Sequence, residues 1–343
     1  MIDVAIVGAG VAGLSVARAL PQEWSATVCA ARPGASQLPT AICHPFPGRS
    51  AGIEHGYRAF AAAYRAMSDT ARELCMVRPV NGEQARLWVT AGEQLEAARA
   101  EGIFIERLEP AASSSRFPIL GHQHAVVYRP AMVLSPPQIL SGWRSQLAAR
   151  GVAFADAVTE LRAVPGGWRL MGAELEARRV VLCPGARLGE WFPELPIRQV
   201  AGELATVEGD LDHALSGEGI YLAPRADGRL CIGATRHPPG EPLATSEIRR
   251  RLLGHRLVRR LDHGFEPDIW KGVRVTVPAD RRPLVGAVPE FEQLFVSGAF
   301  GSKGFYWAPL AGLLLADEMT GRQTVPKALS SARLDGYRSP LIA

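Results

Sequence analysis

The hydrophobic pattern of this chain switches between short apolar runs and stretches of helical period. Residues 3–7 (DVAIV) are apolar and β-branched and predict a buried strand. A helical stretch follows to Leu20, and residues 26–30 (ATVCA) predict a second strand. Residues 34–50 are rich in proline and glycine and predict an ordered loop. Helical period returns at 57–75, 93–101 and 135–150, the last closed by Gly151 as a C-cap. Residues 152–170 predict a strand, a turn at Pro165-Gly166-Gly167 and another strand. Further strands are predicted at 179–182, 199–207, 219–223, 230–232 and 291–298. Residues 247–262 predict a basic helix, and 309–319 an apolar helix closed by Gly321. Pro309 is expected in that helix's first turn, where its missing N–H costs nothing. The pattern contains no internal repeat and no low-complexity tract.

This order predicts an α/β fold: a Rossmann-like dinucleotide-binding domain with an inserted α+β substrate domain containing a mixed antiparallel sheet. The nucleotide-type segments are expected at 1–75, 140–195 and 275–343, and the inserted domain at 76–139 and 196–274. With 47% hydrophobic and 21% charged residues, the chain is suited to a large core and is neither disordered nor fibrous. A formal net charge of +4 permits an anionic partner without demanding one. All basic residues except Lys271, Lys303 and Lys327 are arginines, which reads as a compositional bias. Cys29, Cys43, Cys75, Cys183 and Cys231 form no CxxC pair, so neither a disulfide framework nor a metal site is expected. No apolar run approaches the ~20 residues of a membrane span. A strand starting at residue 3 leaves no room for a signal peptide, so a cytoplasmic location is expected.

The first strand runs into Gly8-Ala9-Gly10-Val11-Ala12-Gly13, a GxGxxG set between strand and helix. Gly8 makes the tight turn, Gly10 lets backbone approach a pyrophosphate, and Gly13 lets the helix pack on the strand. The helix N-terminus offers N–H groups and a positive dipole end to phosphates. The second strand ends in Cys29-Ala30-Ala31-Arg32, without the acidic residue that usually binds the adenosine ribose. Ribose recognition is then expected from backbone and from Arg32, and an arginine there also suits a 2′-phosphate, which keeps NADP open.

Five blocks together resemble the D-amino-acid oxidase (DAO) superfamily of FAD-dependent flavoproteins over nearly the whole chain. They are VVLCPGA at 180–186, QVAGEL at 199–204, IYLAPRADGRLCIGAT at 220–235, GVRVTVPADRRPLVGAVP at 272–289 and FVSGAFGSKGFYWAPLAGLLLADEMTG at 295–321. Within it, Gly233-Ala234-Thr235-Arg236-His237, residues 272–289, and Gly301-Ser302-Lys303-Gly304 with Ala308-Pro309-Leu310 are similar to a narrower family. These are the oxidoreductase domains of bifunctional tRNA 5-methylaminomethyl-2-thiouridine biosynthesis proteins. The resemblance implies oxidative removal of a carboxymethyl group from 5-carboxymethylaminomethyluridine at the tRNA wobble position. The alternative is oxidation of a free small amine such as glycine or sarcosine. Family members usually carry a methyltransferase domain that this chain lacks, so a separate methyltransferase partner is an option.

The resemblance also implies FAD contacts. They fall at Gly8, Ala9, Gly10, Val11, Ala12, Gly13, Arg32, Thr40, Ala41, His44, Val158, Gly185, Gly298, Phe300, Gly301, Ser302, Lys303 and Gly304. In that fold the 298–304 turn meets the pyrimidine edge of the flavin. N–H groups and a helix N-terminus there stabilise the negative charge of reduced flavin, each by about 1 kcal/mol. Lys303 adds a cation. Arg274 sits mid-strand between Val273 and Val275, where an arginine needs a partner. Its planar fork suits a substrate carboxylate, and the other option is an ion pair with Asp280. Tyr221 either presents its hydroxyl to that carboxylate or fills the core. Arg274, Tyr221 and Lys303 are thus the expected catalytic set. A neutral amine delivers hydride to flavin and the imine hydrolyses, so no Ser/His/Asp or metal constellation is needed. Arg249, Arg250, Arg256, Arg259 and Arg260 either line a solvated face or contact tRNA phosphates.

Overall fold

The computed structural model describes all residues except 31–33, 48–54, 82, 84–95, 97–98, 101, 241 and 262–265. It divides into two compact units. One is Met1–Gln37, Pro137–Val200 and Val273–Ala343, and the other is Leu38–Pro136 and Ala201–Gly272.

In chain order the first unit opens with β1 (Ile2–Val7), α1 (Val11–Ala19) and β2 (Ala26–Cys29). The second unit then contributes β3 (Ala41–Cys43), α2 (Gly56–Met67), β4 (Arg72–Val80), β5 (Phe104–Leu108), α3 (Pro110–Arg116) and β6 (His124–Leu134). The first unit resumes with α4 (Pro136–Ala149), β7 (Ala153–Ala155), β8 (Glu160–Val164), β9 (Gly167–Met171), β10 (Leu175–Leu182) and α5 (Leu188–Trp191). Next come β11 (Arg198–Glu208), β12 (Ala214–Gly217), β13 (Ile220–Pro224), β14 (Arg229–Gly233), α6 (Thr245–Leu252) and β15 (Asp268–Thr276). β16 (Leu284–Ala287), β17 (Leu294–Gly298) and α7 (Gly304–Met319) close the first unit.

The first unit is built on an eight-stranded sheet in the order β16-β17-β10-β1-β2-β7, with the β8–β9 hairpin joined to β10. β1 pairs in parallel with both β2 and β10, and β10 in parallel with β17. A central parallel strand is covered on both faces, which is why residues 3–7 read as an apolar run. Val4, Ala5 and Ile6 are fully buried. α7 packs on α1 at Gly312, where a Cβ would stand 2.5 Å from the Ser15 carbonyl oxygen.

α7 begins at Gly304, five residues before Pro309, which corrects the expected start. The N–H groups of Tyr306 and Trp307 already reach the Lys303 carbonyl, at 3.2 and 2.9 Å. Pro309 therefore lies inside the helix and leaves the Phe305 carbonyl without its usual donor. Residues on nearly every side of α7 are buried. Packing overrides the preference of proline for a helix start.

The second unit holds most of a nine-stranded sheet in the order β15-β11-β14-β13-β12-β4-β6-β3, with β5 also on β6. Its core gathers Val77, Val127, Leu215, Leu222, Ile232, Ile248 and Leu252. Ile248 and Leu252 lie four residues apart on the buried face of α6.

Three expectations change here. Residues 38–75, expected in the nucleotide-type domain, belong to the second unit, because β3 and β4 both pair antiparallel with β6. The helix expected over 57–75 stops at Met67, and β4 starts at Arg72. The basic helix stops at Leu252, since the Gly254 N–H closes back on the Arg249 carbonyl at 3.1 Å. Val258–Arg260 adds only a single 3-10 turn. Most of the helix expected at 93–101 lies outside the described residues. Among the described residues, no helix is long and apolar enough to cross a membrane.

Candidate active site

The glycine motif forms a backbone cradle between β1 and α1. Gly8 has φ +119°, and a Cβ there would lie 2.3 Å from the Cys183 carbonyl oxygen. A Cβ on Gly13 would lie 1.9 Å from the Gly8 carbonyl oxygen. Gly10 is the N-cap of α1 and supplies no side chain to it. The Ser36 hydroxyl takes that place, accepting the Val11 N–H at 3.1 Å. Sequence reasoning missed Ser36, because nothing in its spacing ties it to a helix that begins 25 residues earlier. The remaining first-turn N–H groups, of Ala12 and Gly13, have no acceptor within the helix. This cradle fits a dinucleotide: Gly8 and Gly13 exclude side chains beside a helix N-terminus, and Gly10 leaves its backbone bare there. Arg32, expected at the ribose, lies outside the described residues.

The second half of the cradle is the turn between β17 and α7. Ala299 and Gly301 both have positive φ, 56° and 58°. The Gly301 N–H donates to the Val275 carbonyl at 2.8 Å, and Phe300 bridges to Thr276. Lys303 is the N-cap of α7. Gly298 is buried against Leu188, and Ser302 is exposed. A Cβ on Gly304 would lie 3.4 Å from Val11 Cγ1, so the first residue of α7 abuts the first residue of α1. Two positive helix ends thus meet, an arrangement suited to an anionic group spread over both. Ala299 is 3% exposed in a conformation that β-branched side chains rarely adopt. Ala299→Val is expected to lower stability by about 1–3 kcal/mol and flavin content with it, whereas Ala299→Gly retains both. Thermal melting and the flavin absorbance of purified protein check this.

Arg274 is half-buried on β15, next to the Val275 that anchors the turn. The ion pair with Asp280 considered for it goes elsewhere: Asp280 bonds Arg333 at 2.9 Å and accepts the Arg282 N–H at 2.8 Å. Asp280 is a turn residue.

Other expected cofactor residues are placed as follows. Val158 is buried in the core with Cys29 and Leu161, leaving only its backbone for a ligand. Gly185 is exposed, with φ 60°, where β10 ends. Thr40, Ala41, His44 and Tyr221 belong to the second unit. Thr40 is fully buried and its hydroxyl accepts from Arg225 at 3.1 Å, so its side chain serves the fold. Ala41 is paired with Leu134. His44 is buried, with Nδ1 3.2 Å from the Tyr128 hydroxyl. Tyr221 faces Gly233, where a Cβ would lie 2.4 Å from the tyrosine ring. Beyond these, Glu203, nearly fully buried, holds His237 at 3.0 Å and also accepts from Thr235.

The basic segment is largely engaged. Arg249 pairs with Glu266, Arg250 with Glu247 at 2.7 Å, and Arg256 with Glu218. Arg260 donates to the Ile119 carbonyl at 3.1 Å, and Arg259 is exposed. Among the described residues, no group of three or more potential metal ligands occurs. All five cysteines are free, and burial pushes the Cys29 and Cys231 thiols up to about 11.

Residues 3–318 match the family described as DAO, FAD dependent oxidoreductase. The tRNA 5-methylaminomethyl-2-thiouridine biosynthesis bifunctional protein of Caulobacter sp. (strain K31) is 29% identical over 99% of this chain, which spans 58% of that protein's length. Glycine oxidase of Pseudomonas aeruginosa is 28% identical over 60% of this chain and 60% of its own. The crystal structure of glycine oxidase from Geobacillus kaustophilus shares the fold, with a TM-score of 0.78 at 21% identity over 94% of this chain and 96% of that one. The chain therefore belongs to the DAO family of FAD-dependent oxidoreductases, which act on C–N bonds of their donors.

Proposed function

We propose that this enzyme oxidises a carboxymethylamino group, and that the group is borne by 5-carboxymethylaminomethyluridine at the tRNA wobble position. The observation that carries the reading is the meeting of α1 and α7 at Val11 and Gly304, with Arg274 tied to the adjoining turn through Val275. Gly8, Gly10, Gly13 and the 298–304 turn would hold FAD, which when bound supplies the two-electron acceptor for C–N oxidation. Arg274 clamps the substrate carboxylate through two parallel N–H donors and so orients the adjacent methylene. Tyr221 is the proposed hydroxyl donor to the substrate. Lys303 and the first N–H groups of α7 favour negative charge at their end of the cradle. Water cleaves the oxidised C–N bond, which leaves a primary amine on the nucleoside and releases the carboxymethyl carbons as glyoxylate.

The relative from Caulobacter supports the tRNA-borne substrate, since its similarity runs over nearly the whole chain. One observation favours a second reading, a free amine such as glycine or sarcosine. Arg249, Arg250 and Arg256 are matched by glutamates, which removes much of the basic surface that phosphates would use. Anaerobic reduction of the bound flavin by glycine, sarcosine and undermodified tRNA in parallel separates the two. Reduction by tRNA is the expected result. Fast reduction by a small amine with none by tRNA would overturn it. In the same assay Arg250→Glu with Arg259→Glu is expected to weaken tRNA binding and flatten its salt dependence by about two charges.

A further inference from the structure

Tyr221 on β13 stands opposite Gly233, the last residue of β14, and Gly233 is paired on its other side with Leu204 of β11. A Cβ at Gly233 would lie 2.4 Å from Tyr221 Cζ and 2.6 Å from both Tyr221 Cε1 and Leu204 Cδ2. Cζ carries the hydroxyl, so the polar end of the phenol occupies the space that a side chain at 233 would take. The hydroxyl also bonds the buried thiol of Cys231, two residues away on the same face of β14. A glycine in a sheet gives up packing with its cross-strand neighbours and often marks the close approach of another group. Here the approaching group is the tyrosine ring.

The backbone beneath that ring is held on both sides of Gly233. Before it, Arg229 to Ile232 pair with Ala205 to Glu208 of β11. After it, the Thr235 N–H donates to the Glu203 carbonyl at 3.1 Å, and Thr235 Oγ1 accepts the Glu203 N–H at 2.8 Å. The Glu203 carboxylate, 2% exposed, binds the Thr235 hydroxyl and lies 3.0 Å from His237 Nε2. Ala201 and His237 exchange N–H···O bonds at 3.0 and 3.3 Å. A side chain at 233 is therefore not relieved by moving β14. The atoms in its way are the ends of two side chains, so relief comes from Tyr221 and Leu204, and the phenol swings aside.

We propose that the missing side chain at Gly233 sets the place of the Tyr221 hydroxyl, which makes Gly233 a positioning residue for the substrate. The inference rests on the function proposed above, in which Tyr221 donates to a carboxylated amine. Glu203 serves the same end from beneath, by tying Thr235 and His237 to β11.

The test is a double-mutant cycle on the holoenzyme with Gly233→Ala and Tyr221→Phe. It is read as kcat/KM for whichever of glycine, sarcosine and undermodified tRNA reduces the flavin. Tyr221→Phe is expected to cost about tenfold, the loss of one hydrogen bond to a charged group. Gly233→Ala is expected to cost about as much in the parent enzyme, and less than about twofold once the hydroxyl is gone. Equal losses in both backgrounds, or no loss in the parent, overturn the proposal. A second measurement needs no variant at 233. In the unsubstituted holoenzyme, labelled at glycine and tyrosine, nuclear Overhauser contacts are expected between the Gly233 α-protons and the Tyr221 ring, identified by their loss in Tyr221→Leu. Their absence overturns the proposal even if Gly233→Ala does not fold. If the contacts are present but no amine reduces the flavin, the proposed function falls and the seat of the ring on Gly233 stands.

Discussion

Arg274→Ala is expected to lower kcat/KM for a carboxylated amine by about 100-fold, roughly 3 kcal/mol. The guanidinium would make two charge-assisted hydrogen bonds to the carboxylate, and truncation leaves that anion unpaired. Flavin content is expected to be retained, because the Gly301 N–H bond to the Val275 carbonyl that ties β15 to the turn is a backbone contact the substitution leaves in place. Arg274→Lys keeps the charge but loses the fork, and about a tenfold loss is expected. The control is an amine of the same size without the carboxylate, for which Arg274→Ala should leave kcat/KM nearly unchanged. Equal losses for both amines would show that Arg274 holds the fold and not the substrate. Steady-state kinetics with the two amines, alongside the flavin spectrum, decide it.

Gly13→Ala is expected to abolish flavin loading. The added Cβ would stand 1.9 Å from the Gly8 carbonyl oxygen and 3.1 Å from Ile6 Cγ2. The first is a backbone atom, so no rotamer relieves it. α1 would have to move away from β1, taking its first-turn N–H groups out of the cradle. α1 is also held from behind, since α7 crosses it at Gly312 with no room for a Cβ. Overpacking of this kind typically costs about 1–3 kcal/mol and here falls on the cofactor site as well. Purified Gly13→Ala should be colourless and melt earlier than the parent. Gly34→Ala is the matched control, because a Cβ there meets nothing within 4 Å. It should retain both colour and melting temperature.

Much of the nucleotide-binding end is legible because its signals are local. β1, the glycine motif, α1 and β2 lie within residues 2–29, and each glycine answers a steric demand from a neighbouring turn or strand. The buried run at 180–182, and that at 294–298 within the strand expected over 291–298, are likewise read from their own apolarity, since strands covered on both faces need no alternation.

Other features are decided over longer distances. Ala41–Cys43 is too short and too close to prolines to signal a strand, and it becomes one only by pairing with β6. That pairing, with the pairing of β4, draws residues 38–75 into the second unit. The start of α7 is set by the turn before it and by packing on α1, against the positional preference of Pro309.

The charged residues show the same division. Arginines at 249–260 read as a basic face because sequence places them side by side. Their partners Glu218 and Glu266 come from outside that run. Asp280 lies near Arg274 in sequence, yet its partner is Arg333, 53 residues away. His44 and Tyr128 are 84 residues apart, and no periodicity links them.

For this protein, the sequence by itself determined the first half of the backbone cradle, because the tight turn, the helix start and the close packing of Gly13 on Gly8 are properties of a few adjacent residues. Tertiary structure alone decided the partners of Asp280, His44, Ser36 and the basic segment. A hydrogen bond or ion pair depends on which chains packing brings within about 3 Å, and local spacing carries no record of that.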